Sequence, residues 1–262
     1  MPDKKALVLV RVPKSGSTSL QRIVASVCSE SRIFDAPETA RTVSKGVTFY
    51  ERLRNTRRRW RHFMGEQEAW TEAGFWAAIN AHAADGDVVA GHICYGEPRL
   101  PDFDLSYITL LRDPRERVLS NYNYDRVGLS KRSGLRRAYA TGQLKASGKS
   151  FVDYLHYLAD ADRRAIQPAV MYVTGEANPA FDAFDFLRER YFHFGVVEHM
   201  DLFAGTLGQK LGREAEAAWT NKTPKRKHAA LSKDEARLIE RIFPQDLELY
   251  EKAREFVRAT KA

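Results

Sequence analysis

Cysteine is scarce: Cys28 and Cys94 are the only two in a chain of 262 residues. Two are too few for a disulfide framework, and a reducing compartment is the simpler reading. Long apolar runs are missing too. The run that follows Met1-Pro2-Asp3-Lys4-Lys5 ends at Arg11, and no other approaches spanning length. That run is too short for a signal peptide or a membrane span, so a soluble, cytoplasmic protein is expected. The nucleoside-triphosphate loop G-x-x-x-x-G-K-[ST] does not occur, nor does the hydrolase elbow G-x-S-x-G. Neither cysteine forms a metal-binding spacing with a histidine, so no metal is expected.

What is present is an ordinary globular composition with an excess of positive charge. Hydrophobic residues make up 44% and charged residues 29%, which excludes a disordered chain. Lys and Arg number 42 against 34 Asp and Glu, a net charge of +8. This balance fits an anionic ligand without saying whether it is a nucleotide, a glycan or a nucleic acid. The length allows one α/β domain with a real core and is short for two, so residues 1–262 read as a single domain.

Strand-like runs are expected at Ala6–Val12, Asp87–Gly91, Ser106–Leu111 and Phe192–Val197, where apolar residues follow one another without alternation. Helical patterns fall between them: Thr18–Ser29, Phe49–Phe63, Trp70–Ala83, a helix opened by Pro114, Phe151–Leu158, Phe181–Tyr191, Asp201–Leu211, 232–243 and 245–259. Residues 128–150, basic and rich in Gly and Ser, read as a mobile segment with room for a short helix. Strands alternating with helices predict a mostly parallel sheet covered on both faces, with a helical insertion.

The strongest local signal is Val10-Arg11-Val12-Pro13-Lys14-Ser15-Gly16-Ser17-Thr18-Ser19-Leu20. A buried strand runs into a loop of small residues that opens a helix. Such a loop aims backbone N–H groups at one spot beside the positive end of the helix dipole, which suits a phosphate. Gly16 lets the backbone come close, Lys14 adds a cation, and the hydroxyls of Ser15, Ser17, Thr18 and Ser19 add donors. The plain alternative is a strand-turn-helix in which Thr18 caps the helix.

The order Pro-Lys-Ser-Gly-Ser-Thr-Ser resembles the 5′-phosphosulfate loop of the sulfotransferases, in which Lys-x-Gly-x-Thr follows the first strand. The resemblance requires a second motif, an arginine at the end of a later strand and a serine eight residues on, which hold the 3′-phosphate. Tyr107 through Tyr122 supplies it, with Arg112 and Ser120 at that spacing. A third segment, Trp219 to His228, is similar to the basic C-terminal loop that folds over the nucleotide in this family. There Lys222, Lys225, Arg226 and Lys227 are candidates, and a solvated charge run is the alternative. What the family implies is a P-loop-like three-layer α/β sandwich with a central mostly parallel sheet. It also implies a donor, 3′-phosphoadenosine 5′-phosphosulfate, a product, adenosine 3′,5′-bisphosphate, and no metal.

Sulfuryl transfer needs a group to take the acceptor's proton, and histidine suits neutral pH. Of the seven histidines, His92 stands at the carboxyl end of a predicted strand, and Gly91-His92-Ile93-Cys94-Tyr95-Gly96 resembles the Gly-His-x-x-Tyr-Gly segment of carbohydrate-type members. His92 is therefore the expected general base and Lys14 the expected partner of the leaving phosphate, whereas His193 reads as packing. Glu198 also closes a strand and is left outside the catalytic set. Arg11 departs from the family, whose carbohydrate-type members commonly carry His there. The expected acceptor is a hydroxyl of a carbohydrate or glycolipid, an anionic glycan or lipid among the candidates. Two other readings remain: a nucleotide kinase using Asp113 for magnesium, and a polyanion- or nucleic-acid-binding protein using the six arginines between Arg52 and Arg61 around Trp60. A nucleic-acid partner is not expected on the favoured reading.

Overall fold

The computed structural model describes residues 2–35, 72–131, 150–163, 166–215 and 231–260. Five strands form one sheet: β1 Lys4–Val10, β2 Ile33–Asp35, β3 Val88–Gly91, β4 Phe103–Leu111 and β5 Tyr191–Val196. Their order is β2-β3-β1-β4-β5, and every neighbouring pair is parallel. Four of these strands match the apolar runs in the sequence. The fifth, β2, is a three-residue edge strand that the sequence pattern does not announce.

The helices are α1 Ser17–Val27, α2 Glu72–His82, α3 Pro114–Lys131, α4 Phe151–Asp160, α5 Ala169–Thr174, α6 Ala183–Arg190, α7 Met200–Leu211, α8 Lys233–Ile242 and α9 Pro244–Ala259. Two segments depart from expectation. Helix α3 continues to Lys131, into the stretch from 128 that reads as mobile, and α5 is a helix that the sequence pattern does not predict. The helix expected at Phe49–Phe63, the arginines from Arg52 to Arg61, residues 132–149 and the basic loop carrying Lys222, Lys225, Arg226 and Lys227 lie outside the described residues. Among the described residues, no helix is long and apolar enough to cross a membrane.

Both faces of the sheet are covered, which is why its strands read as unbroken apolar runs. On one face Leu9, Ile108 and Leu110 meet Leu20, Ile23, Val24 and Val27 of α1 and Phe203, Ala204 and Leu207 of α7. The α1 residues recur at i, i+3, i+4 and i+7, one stripe of the helix. On the other face Val8, Val10, Tyr107 and Leu111 meet Trp76 and Ile79 of α2, residues of α5, and Leu249, Tyr250 and Ala253 of α9. Helices α3, α4 and α8 share a smaller core around Tyr122, Leu155 and Ile239.

A buried ion pair ties these layers together. Arg117 of α3 donates to Asp246 of α9 at 2.8 Å, with side chains 6% and 0% exposed. Asp246 also accepts the N–H groups of Ala169 at 2.7 Å and Val170 at 3.0 Å, so it caps α5 from a distance. Arg117 donates in addition to the Gln167 carbonyl at 3.1 Å and lies over the ring of Phe243. Removing one member strands a buried charge, which costs about 3–5 kcal/mol. We therefore expect Asp246→Ala to lower the urea midpoint by an amount corresponding to that loss. Replacement of both members, as in Arg117→Met with Asp246→Leu, recovers the part due to the stranded guanidinium, while the Ala169 and Val170 N–H groups lack their acceptor in both variants. A double variant no more stable than Asp246→Ala contradicts this account.

His193 packs as expected. Its ring stacks on Phe203, and Nε2 lies 3.0 Å from the Phe203 carbonyl, which can only accept, so Nε2 carries the proton. Burial pushes its pKa down from 6.5 to about 4. Between those values the unfolded chain binds a proton that the folded chain refuses. The contribution is whole above pH 6.5 and is lost as pH falls towards about 4, on the order of 3 kcal/mol. Unfolding midpoints measured across that window will fall less steeply in His193→Gln than in the wild type. Equal slopes would show that His193 is not the group titrating.

Candidate active site

Because all five strands are parallel, their carboxyl ends lie along one edge. The chain leaves β1 towards β2 on one side and leaves β4 towards β5 on the other, so the neighbours β1 and β4 mark a topological switch point. Ligands of open α/β sheets bind in the crevice that such a divergence opens. The Arg11–Gly16 loop follows β1, His92 follows β3 on one side of it, and Arg112 follows β4 on the other.

The loop backbone is bent for close approach. Lys14 and Gly16 both have positive φ, 63° and 71°. A non-glycine residue in that region is held at a cost, and such cost is characteristic of ligand-binding turns. A Cβ on Gly16 would come within 3.3–3.4 Å of side-chain ends of Met200, Leu110 and Val197, a tight fit, so the positive φ is the main reason for glycine there. Helix bonding in α1 begins with Leu20 N–H to the Gly16 carbonyl, and the first turn carries no acid to compete for its positive end. Ser15 is 1% exposed, and its hydroxyl has no hydrogen-bond partner among the described residues. A buried hydroxyl left unsatisfied is costly, and this one sits inside the loop that would receive an anion. Ser19 is buried, Ser17 half-buried and Thr18 exposed.

The second motif meets the first. Arg112 donates to the Lys14 carbonyl at 3.2 Å and pairs with Glu116 at 3.3 Å. Four-residue spacing puts Glu116, Ser120 and Tyr124 on one face of α3. The Lys14 ammonium lies 3.9 Å from the centre of the Tyr124 ring. Arg112 and Tyr124 thus both touch Lys14, and half-buried Ser120 lies between them in the chain, on the same helical face as Tyr124. Tyr124 is the residue that sequence reasoning misses. Its signal is the spacing of four from Ser120.

His92 is oriented by backbone. Nδ1 lies 2.6 Å from the Arg11 carbonyl, which only accepts, so Nδ1 carries the proton and Nε2 is the basic nitrogen. The Arg11 N–H in turn donates to the Gly91 carbonyl at 2.8 Å, and the Arg11 guanidinium donates to Gln21. The turn after His92 is pinned on several sides. Cys94 N–H donates to the buried carboxylate of Glu97 at 2.7 Å, and Tyr95 N–H donates to the Tyr172 carbonyl at 2.8 Å. Tyr107, hydrogen-bonded to the Gly96 backbone, has its phenol pushed up to about 12 by burial and stays protonated.

Two carboxylates near this edge are engaged in holding helices. Asp113 accepts the Arg115 N–H at 2.8 Å and caps α3, the plain structural reading weighed against magnesium binding. Arg115 goes on to pair with Glu240 at 2.7 Å. Glu198, exposed at the end of β5, bonds the Tyr250 hydroxyl. Burial, with the Glu198 charge beside it, drives the Tyr250 pKa upward.

No curated protein matches the sequence. Among solved structures, mouse sulfotransferase SULT7A1 complexed with PAP superposes over 98% of this chain and 88% of that one, at 11% identity and a TM-score of 0.50. A sulfotransferase from Alicyclobacillus acidocaldarius covers 97% and 99% at 13% identity and a TM-score of 0.44. The family model described as "Sulfotransferase family" matches residues 1–253. With that match covering the Arg11–Gly16 loop, Arg112 and most of the described elements, the chain belongs to the sulfotransferase family of enzymes.

Proposed function

We propose that the protein transfers the sulfuryl group of 3′-phosphoadenosine 5′-phosphosulfate to a hydroxyl, and that the acceptor is a carbohydrate or glycolipid. The observation that carries the donor half is the contact of the two phosphate motifs, Arg112 on the Lys14 carbonyl beside the unsatisfied Ser15 hydroxyl. The PAP in the mouse structure supports the same nucleotide. On this reading the loop Lys14-Ser15-Gly16-Ser17-Thr18-Ser19 holds the 5′-phosphosulfate, Arg112 and Ser120 hold the 3′-phosphate, and Lys222, Lys225 and Arg226 close over it. The sugar half of the proposal rests on the likeness of Gly91–Gly96 to the carbohydrate-type segment. Cys28 and Cys94, both buried and neither in a disulfide, are compatible with a reducing, cytoplasmic setting.

The chemistry follows from the groups at hand. The acceptor oxygen attacks sulfur in line, a new O–S bond forms, and the bond from sulfur to the bridging phosphate oxygen breaks. His92 Nε2 takes the hydroxyl proton, while Nδ1–H stays on the Arg11 carbonyl and steadies the imidazolium. Negative charge grows on the departing phosphate oxygen, where the α1 N-terminus and the Lys14 ammonium stabilise it. Positioning and electrostatics carry most of the rate, as in phosphoryl transfer.

Calorimetric titration with adenosine 3′,5′-bisphosphate, without magnesium, tests the donor site. We expect binding, weakened about 10- to 100-fold by Arg112→Ala, the worth of a charge-assisted hydrogen bond to phosphate. Binding of ATP alone, and only with magnesium, would overturn the reading in favour of a kinase. In turnover, we expect His92→Ala to lose about 10²- to 10⁴-fold in kcat while keeping nucleotide affinity. Lys14→Ala should lose about 10²- to 10³-fold. Full activity in His92→Ala removes the base assignment and leaves the donor site standing.

A further inference from the structure

The Lys14–Tyr124 contact engages the same ammonium that the proposed mechanism assigns to the leaving phosphate. Tyr124 is 52% exposed, the most exposed of the large apolar or aromatic side chains described, and it sits one helical turn beyond Ser120. At 3.9 Å from the ring centre the ammonium is in van der Waals contact with the π face. A cation there turns part of its donor sphere towards the ring and cannot present all of its N–H groups to a phosphosulfate at once.

We propose that Tyr124 is a positioning residue for Lys14. Its ring holds the ammonium against α3 while the donor site is empty and gives it up when the nucleotide arrives. This rests on the donor reading above. Magnitudes decide the direction of exchange. A cation–π contact at an exposed site is worth about a two- to fivefold change in an equilibrium, and a charge-assisted hydrogen bond to phosphate about ten- to hundredfold, so the anion wins. The ring therefore costs the nucleotide part of its affinity, because Lys14 must leave one partner to gain another. Lys14 itself is held at positive φ, with its carbonyl bonded by Arg112, so the exchange is confined to its side chain.

The test is a double-mutant cycle read by titration with adenosine 3′,5′-bisphosphate. Tyr124→Leu, which keeps apolar bulk and removes the π face, should bind the nucleotide about two- to fivefold more tightly than the wild type. Tyr124→Phe, which keeps the face, should bind as the wild type does. In a Lys14→Ala background Tyr124→Leu should change nothing, since the effect passes through the ammonium. Unchanged affinity in Tyr124→Leu overturns the proposal. So does weaker binding that persists without Lys14, which would make Tyr124 a direct nucleotide contact. Wild-type protein that binds no bisphosphate overturns the donor reading and this proposal together. Wild-type binding with a flat Tyr124→Leu response overturns only the role of the ring.

Discussion

The position of α3 depends on a carboxylate in a different helix. Asp246 has no exposed side-chain surface, yet it satisfies a guanidinium and two backbone N–H groups. Dehydrating such a charge is expensive, and it is tolerated because several donors converge on it. One of them, Arg117, comes three residues after Pro114, where the chain has just left β4. Anchored there, α3 cannot turn about its own axis. The face that carries Glu116, Ser120 and Tyr124 therefore stays with the phosphate loop. A fault at Asp246 would reach the site through the angle of this helix, without touching any residue of the loop.

The loop concentrates positive potential in a small volume. The N-terminus of α1, the Lys14 ammonium and the Arg112 guanidinium share it, and α1 brings no acid in its first turn. Like charges this close repel one another unless they are spaced by neutral or negative groups. Glu116 partly balances Arg112, and the Tyr124 face engages Lys14. Both contacts are weak and exposed enough to be exchanged for the polyanionic nucleotide of the proposed reaction.

Most of the architecture is legible in the sequence because a doubly covered parallel sheet writes itself as apolar runs. The runs Leu7–Val10, Val88–Ala90 and Tyr107–Leu111 have no other stable use. The phosphate loop and Arg112 are legible because their chemistry requires particular residues at particular offsets. The elements that escape detection are those stabilised from outside themselves. Strand β2 has three residues and is defined by its ladder with β3, from Ile33 opposite Val88 to Asp35 opposite Ala90. Helix α5, Ala-Val-Met-Tyr-Val-Thr, is rich in β-branched residues, which give it little helical signal. It follows Pro168, with no side-chain cap of its own, and takes its cap from Asp246, 77 residues away. Tyr124 is hidden for a similar reason, since an aromatic residue on a helix face carries no meaning until the lysine it meets is known.

His92 takes its orientation from the peptide of Arg11, the residue by which β1 passes into the loop that carries Lys14. On the proposed mechanism, the proton acceptor and the leaving-group cation are therefore set apart by strand pitch. Neighbouring strands lie about 4.8 Å apart, and β3, β1 and β4 are consecutive in the sheet, so His92 and Arg112 flank the loop at a spacing the backbone ladder dictates. The sheet acts as a ruler with fixed divisions. Substitutions in the surrounding segments can reshape the acceptor cavity without altering that measure. An insertion within β1 or β3 would displace every mark on it by a residue. A fold of this kind can change what it sulfates while the distance over which it moves the group stays constant.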